Sequence, residues 1–170
     1  MTRSLKVASV LSWISLLFWG LNVISGILGS LTAFNPLILV MLVILASIPL
    51  HSYAAIQLHK SIRRPEIKLS HQTPSGIRFV GLVALMIGFL FLLGGMIMSK
   101  NAAEMLATAR EQGFMKEMYD RITVDDLRRY GYLAMVLGLI TVVNVILNLR
   151  LLRWYYLVHQ SDASKRDESQ

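Results

Sequence analysis

Apolar residues in this chain fall into long runs separated by short polar connections. Between Lys6 and Lys60 there are 53 residues without a single Asp, Glu, Lys or Arg. As one helix this stretch would be about 80 Å long, whereas the hydrocarbon core of a bilayer is roughly 30 Å thick, so the stretch must fold back on itself. The pattern therefore predicts two membrane spans, at about 7–31 and 37–59. The second span is expected to begin near Pro36, because a missing N–H is harmless at the first helical position.

Two further spans are predicted in the second half of the chain, at about 77–98 and 130–152. The third span contains twenty consecutive uncharged residues, Phe79 to Met98. Twelve of these are Leu, Ile, Val or Phe, the residues that favour insertion into a bilayer most strongly. The four spans together predict an all-α membrane protein.

The connection between the third and fourth spans, residues 99–129, differs in composition from the others. It holds six basic and six acidic residues, evenly mixed, and its apolar residues recur at steps of three and four. This spacing is typical of an amphipathic helix, whose apolar face must be covered by the membrane surface, the rest of the protein or a partner. The candidate partner-binding residues on this face are Met105, Phe114, Met115, Met118 and Tyr119.

Local signals mark where several helices begin or bend. Pro49 removes one backbone hydrogen bond inside the second span, which predicts a kink. Thr73 followed by Pro74 predicts a helix start, with Thr73 as the N-cap and Pro74 as the first helical residue. Thr123 followed by Asp126 has the spacing of a capping box, in which each residue satisfies a backbone N–H of the other.

The distribution of charge predicts the orientation of the spans. Eleven of the seventeen basic residues lie in the N-terminal segment, the 60–78 connection and the C-terminal segment. Because basic residues accumulate on the cytoplasmic side, these three segments are expected in the cytoplasm. The chain is therefore expected to cross the membrane several times, with both termini cytoplasmic. The net charge of +7 does not indicate nucleic-acid binding, since no basic run is interleaved with stacking aromatic residues.

The predicted fold is a four-transmembrane-helix antiparallel bundle with a long amphipathic helical extracytoplasmic loop between helices 3 and 4. Residues 1–160 are expected to form a single membrane domain. Residues 161–170 are polar and mixed in charge, which predicts a disordered cytoplasmic tail.

Three asparagines are the main polar residues predicted inside the spans: Asn22, Asn144 and Asn148. Asn144 and Asn148 are one helical turn apart and therefore share a face. The favoured interpretation is hydrogen bonding between helices, and the alternative is a polar path for a ligand or ion.

No catalytic residue, cofactor or metal is predicted. The chain has no cysteine, and no phosphate-binding loop, nucleophile elbow or zinc-protease helix occurs. His59 and His159 both lie at predicted cytoplasmic helix ends and could approach each other, but neither has a carboxylate or thiolate cluster beside it. The chain is therefore expected not to be an enzyme.

The layout of the spans and the passage QLHKSIRRPEIKLSHQTPSGIRFVGL resemble small bacterial four-span membrane proteins of an uncharacterised family. Such a family has no assigned catalytic residues, so the resemblance transfers no site. It implies the bacterial inner membrane as the location. The first functional hypothesis is an accessory or scaffolding subunit of a membrane complex, in contact with lipid and with a protein partner or a second copy. The alternative is a small oligomeric transporter or channel, with Asn22, Asn144 and Asn148 along its path.

Overall fold

The computed structural model describes residues 2–32, 36–64, 66–67, 69–70, 72–111 and 121–167, and nearly all of these residues are helical. The helices of these residues are α1 (Thr2–Thr32), α2 (Pro36–Leu45), α3 (Ser47–Arg63), α4 (Gln72–Lys100), α5 (Ala102–Glu111) and α6 (Val124–Asp167). No strand occurs in the described residues. The predicted all-α class is confirmed.

Four helical stretches of the described chain are long and apolar enough to cross a membrane. They are Arg3–Ser30, Pro36–Arg63, Gln72–Lys100 and Val124–Val158. Each overlaps one predicted span and extends into the polar flanks, because a helix that has already formed can continue there without a new nucleation step. The prediction of four candidate spans is confirmed.

The stretch Pro36–Arg63 is divided into α2 and α3 at Ala46. Pro49 lies in the first turn of α3 and has no N–H to donate to the carbonyl of Leu45. The backbone remains hydrogen bonded on both sides, since the N–H of Ala46 donates to Leu42 at 2.8 Å and the N–H of Leu50 donates to Ala46 at 3.1 Å. The helix is thus interrupted one turn from Pro49, where a kink was predicted.

The helix starts agree with the sequence signals in two cases out of three. Helix α2 begins at Pro36, as predicted. Helix α4 begins at Gln72, so the assignment of Thr73 as its N-cap was wrong. Pro74 is the third residue of α4, a position whose N–H also lacks a partner within the helix, so the proline is equally well tolerated there.

The third predicted start, at α6, is a complete capping box. The N–H of Asp126 donates to Oγ1 of Thr123 at 3.1 Å, and the N–H of Thr123 donates to Oδ2 of Asp126 at 3.1 Å. Two backbone donors at the helix end are thereby satisfied. At its other end α6 continues to Asp167, where a disordered tail from residue 161 was expected.

The chain divides into two compact units. The first comprises residues 1–85 and 141–170, and within it α1 packs against α2 and α3. Its buried apolar core draws on α1, α3, α4 and α6 and contains Ala8, Leu58, Ile77, Leu151 and Leu152.

The second unit comprises residues 86–140 and contains a close crossing of α4 and α6. A Cβ atom added to Gly131 would lie 2.8 Å from the carbonyl oxygen of Gly95, and one added to Gly138 would lie 2.7 Å from that of Gly88. Both contacts are with backbone, so glycine is required for the two helices to approach this closely.

Candidate functional site

A cluster of polar side chains is buried in the first unit, between α1, α3 and α6. We call it the buried polar cluster, and its members are Ser12, Ser52, His59, Asn144 and Asn148. Each is no more than 2% exposed. Polar groups at such depth must find hydrogen-bond partners within the protein, or their burial is strongly unfavourable.

Asn148 is at the centre of the buried polar cluster. Its Nδ2 lies within hydrogen-bond distance of Ser12 Oγ at 3.1 Å, Asn144 Oδ1 at 3.0 Å and the Asn144 carbonyl oxygen at 2.9 Å. Asn144 and Asn148 are one turn apart on α6, so both amides reach the same side of the helix. The two side chains come together because, as predicted, they lie on one face of the helix.

Ser12 and Ser52 extend the cluster into α1 and α3. Ser12 Oγ donates to Asn144 Oδ1 at 2.9 Å, and Asn144 Nδ2 donates to Ser52 Oγ at 3.3 Å. Ser52 Oγ in turn donates to the backbone carbonyl of Ile48 at 2.9 Å. The hydrogen bonds therefore run from α1 through α6 to the backbone of α3.

His59 joins the cluster from α3. Its Nε2 lies 2.7 Å from Asn148 Oδ1, and because an amide oxygen only accepts, Nε2 is the donor. In the neutral ring Nδ1 is then an acceptor, and this atom is buried without a partner among the described residues. The side chain of His159, considered from the sequence as a neighbour of His59, lies outside the described part of the structure.

His51 is a second buried histidine, two turns before His59 on α3. Its ring packs against Gly81 of α4, where an added Cβ would lie 2.8 Å from Nδ1. The ring approaches the backbone of Ile77, but neither nitrogen makes a hydrogen bond of ordinary geometry within the described chain. Ser15 Oγ on α1 is also buried without a partner there.

Asn22 lies outside the buried polar cluster. It is exposed, and its Nδ2 donates to the carbonyl oxygen of Phe18 in its own helix at 2.7 Å. Asn22 follows Ser12 by ten residues, which places it about 15 Å further along α1 and on a different side of the helix. The structure brings Asn144 and Asn148 together and does not bring Asn22 to them.

The candidate partner-binding residues are described only at Met105. Helix α5 buries Ala102 and Leu106 against Leu127 of α6, while Met105 is 40% exposed. Met105 lines a shallow depression of about 320 Å³, together with Asn101, Glu104, Thr108 and Ala109. The other candidates, Phe114, Met115, Met118 and Tyr119, lie outside the described residues.

A larger groove opens at the C-terminal part of α6, within the first unit. We call it the arginine groove. It has a volume of about 610 Å³ and is lined by Arg78, Leu149, Leu152, Arg153, Tyr156 and Leu157. Cζ of Arg78 lies 5.4 Å from the centroid of the Tyr156 ring, a cation–π contact that holds the guanidinium in place.

Sequence reasoning used Arg78 and Arg153 only to orient the spans. They are 75 residues apart, and no local pattern indicates that they share a groove. Sequence reasoning also missed Ser52. The apolar runs contain many serines, and nothing in the sequence distinguishes the one that joins the buried polar cluster.

The buried polar cluster contains no carboxylate, and the described residues hold no group of three or more His, Cys, Asp or Glu placed to bind a metal ion. Its donors and acceptors join helices and can solvate a small polar guest.

The fold and these sites define an all-helical protein with four helices suited to a membrane. No protein-family model, curated protein or solved structure matches the chain. The resemblance to an uncharacterised four-span family stays a prediction.

Proposed function

We propose that this chain is a multi-pass integral membrane protein of the bacterial inner membrane and acts as a non-enzymatic accessory or scaffolding subunit. Large apolar side chains on the outer surface of the helices support the membrane location. Val43 and Phe79 are each 74% exposed, and Leu90 is 65% exposed. Exposed apolar side chains of this kind are stable against lipid and unfavourable in water.

The contacts support an antiparallel arrangement of the helices within each unit. In the first unit Ala8 packs in the same buried core as Leu152, and Ser12 bonds to Asn144. Residue numbers therefore increase along α1 in the direction in which they decrease along α6. In the second unit α4 and α6 show the same order, since Gly95 meets Gly131 and Gly88 meets Gly138.

The observation that carries the scaffolding role is the outward position of Asn22. An exposed amide within an apolar span would lie in lipid, and the single bond of Nδ2 to the Phe18 carbonyl leaves the second N–H and Oδ1 of Asn22 without a partner among the described residues. Ser25, one turn further along α1, is also exposed. A second transmembrane helix packed here would supply hydrogen-bond partners to both side chains, which is a common basis of helix association in membranes.

Site-specific cross-linking tests this role. A photo-reactive amino acid at Ser25 should give an adduct in intact membranes, either with a second copy or with another membrane protein. The same group at Ile24, which is 57% exposed and lies about 160° around α1 from Asn22, is the matched control and should give none. Asn22→Leu should abolish the Ser25 adduct. Equal adducts at both positions, or no effect of Asn22→Leu, would contradict the proposal.

The orientation is tested by cysteine labelling, for which the chain has no background because it contains no cysteine. Ser70→Cys lies in the connection proposed to be cytoplasmic, and Asn101→Cys lies at the opposite ends of the spans. A membrane-impermeant maleimide should label Asn101→Cys in intact spheroplasts and Ser70→Cys only after lysis. The reverse pattern would overturn the proposed orientation.

A second candidate function, transport by an oligomer, is favoured by the buried atoms without partners beside the buried polar cluster. Both ring nitrogens of His51 and Nδ1 of His59 are of this kind. A polar solute or ion held there would satisfy them. Proteoliposomes loaded with a pH-sensitive dye test this with protons: a flux that His51→Leu removes would favour transport, and no flux above empty liposomes favours the scaffolding role.

A further inference from the structure

Among the described residues, the two arginines of the arginine groove have no acidic partner. No described carboxylate lines the groove, and neither Arg78 nor Arg153 forms an ion pair with a described residue. Two guanidinium groups facing one space repel each other unless an anion lies between them. The groove therefore has a positive charge that is complementary to an anionic ligand.

The cation–π contact of Arg78 with Tyr156 prepares this arginine for an anion. The contact places the guanidinium over the tyrosine ring, on the lining of the groove. The N–H groups at its edge stay available and can form the paired hydrogen bonds that arginine makes with phosphate oxygens. Arg153 lines the same groove from α6 and can supply a second fork.

The rest of the groove is apolar and continuous with the outer surface of α6. Leu149, Leu152 and Leu157 line it, and Leu157 is 60% exposed. A ligand that satisfies both parts of the groove has an anionic head and a hydrocarbon chain. A free anion would leave the leucine wall uncovered.

The position of the groove along the spans matches the level of lipid headgroups. Arg78 directly precedes the twenty uncharged residues of the third span, and Arg153 follows the apolar part of the fourth. Tyr156 and the neighbouring Trp154 are residues that favour the membrane interface.

We infer that the arginine groove binds an acidic phospholipid, with Arg78 and Arg153 holding the phosphate and the leucines holding the first part of an acyl chain. This inference rests on the proposed membrane location and adds a lipid ligand to it. Basic pockets between helices on the cytoplasmic side are suited to such headgroups.

Native mass spectrometry of the full-length protein in a neutral detergent tests the inference, with phosphatidylglycerol as the probe and phosphatidylcholine as the comparison lipid. The wild type should bind phosphatidylglycerol about tenfold more tightly than phosphatidylcholine. Arg78→Gln and Arg153→Gln should each weaken this binding about tenfold, since each removes charge-assisted hydrogen bonds. Arg153→Lys should give an intermediate loss, because it keeps the charge and removes the fork.

Arg150→Gln is the matched control, as this arginine is exposed on the same helix and does not line the groove. It should leave phosphatidylglycerol binding within about twofold of the wild type. An equal loss with Arg150→Gln would show general attraction of basic residues and overturn the site. Equal binding of phosphatidylcholine would also overturn it, as would binding of glycerol phosphate as tight as that of the lipid.

The outcome is separable from that of the scaffolding proposal. Arg153→Gln should keep the cross-link from Ser25, and Asn22→Leu should keep phosphatidylglycerol binding. Arg153 is exposed, so its replacement leaves the core intact and the binding measurement remains interpretable even where Arg78→Gln lowers the yield of folded protein.

Discussion

Gly131 of α6 lies directly against Gly95 of α4, with so little space between them that one added methyl group would come within 2.8 Å of the Gly95 carbonyl oxygen. The same added group would lie 2.7 Å from the backbone nitrogen of Ser99. Backbone atoms cannot move aside as a flexible side chain can. The second unit therefore depends on the absence of a side chain at this position.

Replacing this glycine tests the close crossing. Gly131→Ala should lower the free energy of unfolding by about 1–3 kcal/mol, because the helices must separate to admit the methyl group. Thermal unfolding of the purified protein in detergent measures the change. Gly94→Ala is the control: nothing lies within 4 Å of a Cβ there, and alanine favours the helix, so the midpoint should stay or rise. Equal losses in both variants would contradict the crossing.

The hydrogen bond from His59 to Asn148 predicts a specific order among His59 variants. His59→Leu leaves the buried Oδ1 of Asn148 without its donor and should lower the free energy of unfolding by about 1–2 kcal/mol. His59→Gln can place an amide N–H near the position of Nε2 and should lose less. A thermal midpoint of His59→Leu at or above that of His59→Gln would show that the hydrogen bond does not stabilise the protein.

Ser12 and Asn144 should be energetically coupled, since Ser12 Oγ donates to Asn144 Oδ1 in a buried site. Ser12→Ala and Asn144→Ala each leave a partner unsatisfied, whereas the double variant removes both. The double variant should therefore lose less stability than the sum of the single losses, by about 0.5–2 kcal/mol. A double-mutant cycle measures this difference, and strict additivity would contradict the contact.

Thr123 should stabilise the first turn of α6. Thr123→Ala removes the hydroxyl that accepts from the N–H of Asp126, so the first turn should open more often. Limited proteolysis at Arg121 should then be about fivefold faster. Thr123→Ser keeps the hydroxyl and should match the wild type. Unchanged cleavage in Thr123→Ala would show that the cap does not hold this turn.

The helices of this protein could be predicted from the sequence because their cause is local. An apolar run without charge determines a span by itself, Pro36 starts a helix by its own geometry, and Thr123 and Asp126 form a cap within four residues. The start of α4 was predicted wrongly by two residues, since the helix begins at Gln72 and not at Pro74.

The contacts between helices were less accessible, because they depend on which faces meet. The shared face of Asn144 and Asn148 follows from their spacing on one helix. Their hydrogen bonds to Ser12 and His59 join segments up to 136 residues apart, and no periodicity in the sequence indicates such a contact. Asn22 shows the opposite case. As a polar residue in an apolar span it was considered together with Asn144 and Asn148, but its position on α1 places it away from them.

The buried polar cluster takes its members from both ends of the chain, and this has a consequence for synthesis. A ribosome releases α1 and α3 well before α6, so Ser12 and His59 leave it while the amides of Asn144 and Asn148 are still to be translated. A chain that stops before α6 retains these polar groups without their final partners. The last helix thus completes the protein in a chemical sense, and in the proposed membrane location quality-control proteases that sense polar groups in lipid would distinguish finished chains from truncated ones.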